Sequence, residues 1–172
     1  MLLKRREFEM VSRQEIEKTE ELKKCNFYDP HFRGSFKLHF QPRRATKNSA
    51  AYDLYSPIRI VLKPGEIAKI PTGFKIKMPR NEAFFIYIRS SYGAKDMILP
   101  AGVNIIDADY YNSPGNEGHI MVPLINHGEE PVQVAKGMRI AQGIFYRYLT
   151  VDGDAAGQGA QRTGGCGSTG EK

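Results

Sequence analysis

Between Tyr52 and Tyr148 the chain is cut into short runs rich in Ile, Val, Phe and Tyr by turn signals at Pro57, Lys63-Pro64-Gly65-Glu66, Pro71-Thr72-Gly73 and Pro79-Arg80-Asn81. Proline fixes φ and glycine tolerates the left-handed region, so each cluster ends one extended run and starts another. Short strands at this spacing predict an all-β fold, a β-sandwich or jelly roll. Ser91 to Asp96 suggests a helical turn, and Ala135 to Tyr148 reads as one long closing strand. The 172 residues suffice for one domain with a real core.

The N-terminal third has a different character. Arg6 to Val11 alternates Phe8 and Met10 with charges and reads as a strand. Ser12 offers an N-cap with Glu15 at the capping-box position, and Gln14 to Lys24 is rich in helix formers. Apolar residues in that helix are limited to Ile16, Leu22 and Cys25, so it is expected on the surface. Asn26 to Gly34 reads as a loop, and Phe36, Leu38 and Phe40 alternate as a strand. The formal charge of +6 is concentrated here: residues 1–49 hold 12 Lys or Arg against 7 Asp or Glu, whereas residues 50–172 hold 13 against 12. No nucleic-acid module accompanies the excess, so a solvated surface is expected rather than a nucleic-acid interface.

Cys25 and Cys166 are too few for a disulfide scaffold, and His31, His39, His119 and His127 have no ligand spacing. Nothing resembles a membrane span or a signal peptide, which implies a soluble, cytoplasmic protein. After Val151 seven glycines fall between Gly153 and Gly170 without periodicity, predicting a mobile arm. The expected organisation is a β domain over 1–151, with a helical insertion at 13–37, and an arm over 152–172.

Gly102 to Met121 carries the unusual acids. It reads as a β-hairpin, Val103, Ile105 and Ile106 leading into a turn at Asn112-Ser113-Pro114-Gly115-Asn116 and Ile120 and Val122 returning from it. Aspartate is depleted in strands, and a period-two strand would send Asp107 and Asp109 to one face. Two readings are open: carboxylates that orient and deprotonate a water beside a Tyr110 wall, or an acidic pair that solvates a hairpin end.

Five stretches in order resemble the motifs of the trimeric dUTP pyrophosphatases (dUTPases). They are Ala50-Ala51-Tyr52-Asp53-Leu54-Tyr55-Ser56, Arg89-Ser90-Ser91-Tyr92-Gly93, Gly102 to Tyr110, Gly137-Met138-Arg139-Ile140-Ala141-Gln142, and Arg162 to Gly170. Pro42-Arg43-Arg44-Ala45-Thr46 resembles the family's lead into the first motif, which marks 13–37 as inserted. The resemblance implies a jelly-roll-like dUTPase β-sandwich with one or two short helices and a flexible Gly-rich C-terminal arm. It also implies a homotrimer with shared active sites that hydrolyses dUTP to dUMP and pyrophosphate. Mg²⁺ would be held by the triphosphate and water, with no metal ligand from the protein itself.

Residue by residue, the resemblance makes Asp107 the base for the attacking water and has Gln142 hold that water or an α-phosphate oxygen. Arg89, Ser90, Ser91 and Gly93 would meet the phosphates, Asn104, Ile106 and Tyr110 the nucleoside. Asp53, Asp109 and Arg139 would support them. Arg162, Gly165, Cys166, Ser168 and Thr169 would close over the nucleotide from the arm. The residues alone leave humbler readings open: a serine N-cap beside a structural arginine, Asp53 capping a turn after Asn48-Ser49, a buried structural Gln142, and a flexible linker at the tail.

The pattern departs from the family in three places. Cys166 stands where a stacking aromatic is usual, which leaves Tyr92 or Tyr111 as substitutes. Asn104 replaces a glycine, and Tyr111-Asn112 with a longer tip replaces Arg-Gly. Two other functions compete: a dCTP deaminase of the same fold, and a nucleotide-sensing regulator that binds dUTP and uses the basic insertion as a protein-partner surface.

Overall fold

The structure is a computed structural model that describes residues 5–23 and 30–155. Twelve strands dominate it: β1 Glu7–Met10, β2 Arg43–Arg44, β3 Tyr52–Tyr55, β4 Ile60–Leu62, β5 Ile67–Pro71, β6 Phe74–Lys77, β7 Glu82–Ile88, β8 Met97–Ile98, β9 Asn104–Asp107, β10 Met121–Asn126, β11 Val132–Val134 and β12 Arg139–Arg147. Four short helices accompany them, α1 Arg13–Glu17, α2 Glu20–Lys23, α3 Pro30–Phe40 and α4 Ser90–Gly93, with a 3₁₀ turn at Ala108–Tyr110. The all-β expectation holds.

The strands form a five-stranded sheet in the order β2-β3-β12-β7-β9, a three-stranded sheet β5-β10-β8, and the pairs β1-β6 and β11-β4. Every pairing is antiparallel. Strict alternation makes the sandwich: in β10, Val122, Leu124 and Asn126 are buried while Met121, Pro123 and Ile125 are half-exposed. Phe8, Tyr52, Phe84 and Phe145 meet with ring centroids 4.8–5.9 Å apart, so the N-terminal strand is built into the same core. β12 carries a glycine at its centre for a packing reason. A Cβ on Gly143 would lie 2.1 Å from the Phe84 ring.

Several expectations fail, each for an identifiable reason. Residues 102–121 are not a hairpin: β9 pairs with β7 in one sheet, while β10 pairs with β5 and β8 in the other. The turn cluster between them is a bridge between sheets. Strand alternation stops at Asp107, because Asp109 lies in the 3₁₀ turn, so the two acids do not share a strand face. The long closing strand is present as β12, Arg139–Arg147, but it starts later than expected: after β11 ends at Val134 a turn runs through positive-φ Gly137.

The N-terminal third departs furthest from the sequence pattern. Phe36, Leu38 and Phe40 lie in helix α3, where the i, i+4 pair Phe36 and Phe40 shares a buried face and Leu38 is 74% exposed. Phe36 stacks on Phe74 at 5.9 Å. The same helix takes in residues 30–34, and the rest of the expected loop, 26–29, lies outside the described residues. The described part of the expected helix, up to Lys23, is two helices, and they do more than lie on the surface: Ile16 and Leu22 are fully buried. Too few apolar residues for a stripe still suffice as single plugs.

Ile16→Ala should therefore lose about 2–5 kcal/mol of stability in denaturant titration, as for a core truncation. A loss within ~0.5 kcal/mol would return α1 to the surface.

Candidate active site

Asp53 is the centre of the charged site. It sits in β3, 5% exposed, opposite Gln142 of β12. Oδ1 is 3.0 Å from Nε of Arg89, the residue that caps α4, and Oδ2 is 3.3 Å from Nη1 of Arg139 at the start of β12. One carboxylate therefore ties together three of the stretches singled out by sequence. The turn-capping role for Asp53 and the serine cap for α4 both give way, since Arg89 occupies the cap position without a side-chain capping bond.

Around this triad lies a cavity of about 570 Å³ lined by Asp53, Tyr55, Arg89, Ser91, Tyr92 and Arg139, with Arg43, Arg44, Ala45, Gly137 and Met138 completing it. Four arginines against one carboxylate make it an anion site. Ser90 and Gly93 belong to the same helical turn beside the lining Ser91. Arg43 and Arg44 were not anticipated as site residues, although the basic pair directly before the first motif is legible in the sequence. Arg43 is braced over the Tyr55 ring at 4.8 Å and donates to the Leu38 carbonyl at 3.0 Å. Arg44 donates to the carbonyls of Lys47 and Ser49 at 3.0 and 3.1 Å. Tyr92 is 3% exposed with its hydroxyl 3.4 Å from the Met138 sulfur, and burial raises its phenol pKa, the nearby Arg89 opposing.

Among the described residues, the other predicted ones are not on this cavity. Gln142 is half-buried in β12 between Asp53 and Tyr87. Asn104 and Ile106 face Ile86 and Phe84 across β7, and Asp107 ends β9 opposite Ala83. Asp109 and Tyr110 form the 3₁₀ turn that follows. The Tyr110 hydroxyl accepts from Asn116 Nδ2 at 2.6 Å and donates to the His119 carbonyl at 3.2 Å, so the hydroxyl end of the ring is held by two bonds. Tyr111 is committed elsewhere: it donates to Glu9 at 2.6 Å with Lys75 and Lys77 over its ring, and burial, then Glu9, push its phenol up to about 12. Arg162, Gly165, Cys166, Ser168 and Thr169 lie outside the described residues.

A dUTPase family model matches residues 40–170. The deoxyuridine 5'-triphosphate nucleotidohydrolase of Lactococcus lactis is 44% identical over 130 residues, covering 75% of this chain and 87% of its own. The chain belongs to the dUTPase family. The crystal structure of dUTPase from Streptococcus mutans is similar with a TM-score of 0.67 and 33% identity, over 85% of this chain and 98% of that one. At 17% identity, a mutant dUTPase from phage phi11 of S. aureus, described as coordinating a structural Mg(II) ion, shares the fold with a TM-score of 0.61, over 87% of this chain and 95% of its own. No helix among the described residues is long and apolar enough to cross a membrane.

Asp53→Ala leaves two arginines facing one another beside a vacated buried position. It should cost about 3 kcal/mol, the low end for breaking a buried pair, because Arg139 is 45% exposed and keeps its water. Equilibrium unfolding measures it, and a loss below ~1 kcal/mol would mean that the arginines hold their places without Asp53.

Proposed function

We propose that this dUTPase-family enzyme hydrolyses dUTP to dUMP and pyrophosphate in sites built from more than one copy of the chain. The observation that carries this is the arginine-lined cavity around Asp53, which matches a polyphosphate in charge and size while Asp107 and Tyr110 lie elsewhere on the same chain.

In this reading Arg89, Ser90, Ser91 and Gly93 bind the phosphates, and Arg43 and Arg44 add charge at the outer edge. Asp53 fixes the guanidinium planes of Arg89 and Arg139 so that their remaining donors need no reorganisation when the triphosphate arrives. Asp107 accepts a proton from water attacking the α-phosphorus, Gln142 orients that water or an α-phosphate oxygen, and pyrophosphate leaves in line. Asp109 supports the turn. Asn104 and Ile106 border the nucleoside, and Tyr110 lies against the sugar where a ribose 2′-hydroxyl would project. Arg162, Gly165, Cys166, Ser168 and Thr169, in an arm over 152–172, close the site. The enzyme is cytoplasmic.

Among the described residues no group of three or more His, Cys, Asp or Glu is arranged to hold a metal. The donor set present fits Mg²⁺ carried by the triphosphate and completed by water, with Asp53 already taken by two arginines. When bound, the cation neutralises charge on the phosphates.

A homotrimer is supported by an uncovered apolar row on the five-stranded sheet. Ile105, 54% exposed, faces Phe85 across the β7-β9 ladder, and the Phe85 and Tyr146 rings pack edge to face at 5.1 Å with Tyr146 42% exposed. Further copies of the chain would cover it. Sedimentation should give a single trimeric species; a fully active monomer would exclude shared sites.

Asp107→Asn keeps the shape and loses the proton acceptor. Turnover of dUTP, followed as pyrophosphate release, should fall about 10²- to 10⁴-fold with nucleotide affinity retained. Near-parental turnover would remove Asp107 as the base, and loss of affinity would make it a structural residue.

A further inference from the structure

The loop from Tyr110 to His119 is held from two sides. On its inner side it holds itself: Ser113 N–H donates to the Tyr110 carbonyl at 3.1 Å, Asn112 N–H to the Glu117 carbonyl at 2.9 Å, and Glu117 N–H to the Ser113 carbonyl at 2.8 Å. Gly118, at φ +76°, lets the chain pass so close that a Cβ would lie 2.2 Å from the Tyr110 carbonyl oxygen. The outer side is held by residues 9–18, which precede the part of the chain that matches the family.

Glu117 is the meeting point. Its carboxylate accepts from the Ser12 N–H at 3.1 Å and from the Ser12 hydroxyl, and pairs with Lys75 at 3.1 Å. Ser12 Oγ in turn accepts the Glu15 N–H at 3.2 Å, so the cap of α1 and the loop share one hydroxyl. The expected capping box is thus completed from outside: Glu117 takes the Ser12 amide. Glu15, freed from that task, lies 3.3 Å from His119 Nδ1, both residues almost wholly buried. His119 Nε2 accepts the Gly73 N–H at 2.9 Å, which leaves the ring proton on Nδ1, facing Glu15. Glu15 Oε2 has Lys18 Nζ at 3.0 Å as an ion pair out of hydrogen-bonding alignment, and Lys18 also reaches the Gly115 carbonyl at 3.1 Å. Burial raises the Glu15 and Glu117 carboxyls, yet their partners outweigh it and hold both below the usual range.

The backbone adds an independent sign. Glu117 has φ +57°, a conformation that suits glycine or asparagine and strains a residue with a β-carbon. A glutamate held there is explained by what its carboxylate binds.

We infer that residues 9–18 act through Glu117 and His119 to set the position of Tyr110, and so the enzyme's preference for 2′-deoxyribose over ribose. This rests on Tyr110 being the sugar wall. Ser12, Glu15, Glu117 and His119 are positioning residues, and the connection to Tyr110 is short: its hydroxyl is bonded to the His119 carbonyl and to Asn116, one residue before Glu117.

The test is the ratio of kcat/KM for dUTP and UTP in full-length enzyme, measured below the melting transition of each variant. Tyr110→Ala should lower the ratio. Glu117→Ala should lower it by roughly three- to thirtyfold, within the span of coupling between contacting residues, and Ser12→Ala, a milder change that keeps the fold, should lower it in the same direction. Glu117→Gln should keep most of it, because the amide oxygen still accepts from the Ser12 N–H. If Tyr110→Ala leaves the ratio unchanged, the sugar-wall reading and this inference fall together. If Tyr110→Ala lowers it while Glu117→Ala and Ser12→Ala keep the parental value, or depress both substrates alike, the inference alone is overturned.

Discussion

The ionic bridge from Asp53 to Arg89 and Arg139 is the constraint on which the site depends. Its carboxylate is inside the protein while both guanidiniums keep contact with water at the cavity wall, so most of the desolvation cost falls on one group. A lone carboxylate there would be costly, and two arginines alone would repel. Each arrangement needs the other, and together they fix β3, α4 and β12 around one point. Because the arginines spend only part of their donors on Asp53, the wall stays cationic, with Arg43 and Arg44 adding to it.

Sheet register puts those groups where they are. Asp53 opposes Gln142 because β3 and β12 pair antiparallel, with an irregularity between Arg139 and Ala141 that lets Arg139 face Tyr55. A one-residue slip would turn Asp53 into the core and Leu54 out, so the apolar pattern that builds the core also enforces the site. Gly143 serves the same end from inside, letting the Phe84 ring close onto β12.

How much of this was legible followed the range of the interactions. Strands from 52 onward and the cap at Ser12 rest on local patterns and turn residues, and they could be read. The hairpin at 102–121 was misread because a turn cluster between apolar runs specifies a reversal locally but not which sheet each run joins. Pairing of β9 with β7 and of β10 with β5 is decided by distant partners. Phe36, Leu38 and Phe40 satisfy a period of two, but Phe36 and Phe40 equally satisfy a helical i, i+4 pair, and the packing of Phe36 on Phe74 selects the helix. Asp53, Arg89 and Arg139 were singled out separately by resemblance. That one carboxylate joins them is a long-range fact that no spacing encodes.

The N-terminal helices and the loop from Tyr110 to His119 are best understood together. A loop that starts at Tyr110 and has left-handed Asn112 and Glu117 within it is unfavourable by itself, and few of its residues are apolar. It gains order from partners outside it: Glu9, Ser12, Glu15 and Lys18 on one side, Lys75 on the other. Those partners need anchoring too, and Val11, Ile16 and Leu22, all fully buried, supply it. Apolar plugs hold the N-terminal segment on the core, and its polar groups hold the loop. The burial of Ile16 and the geometry of Tyr110 are therefore consequences of one packing arrangement, although they lie almost a hundred residues apart in sequence.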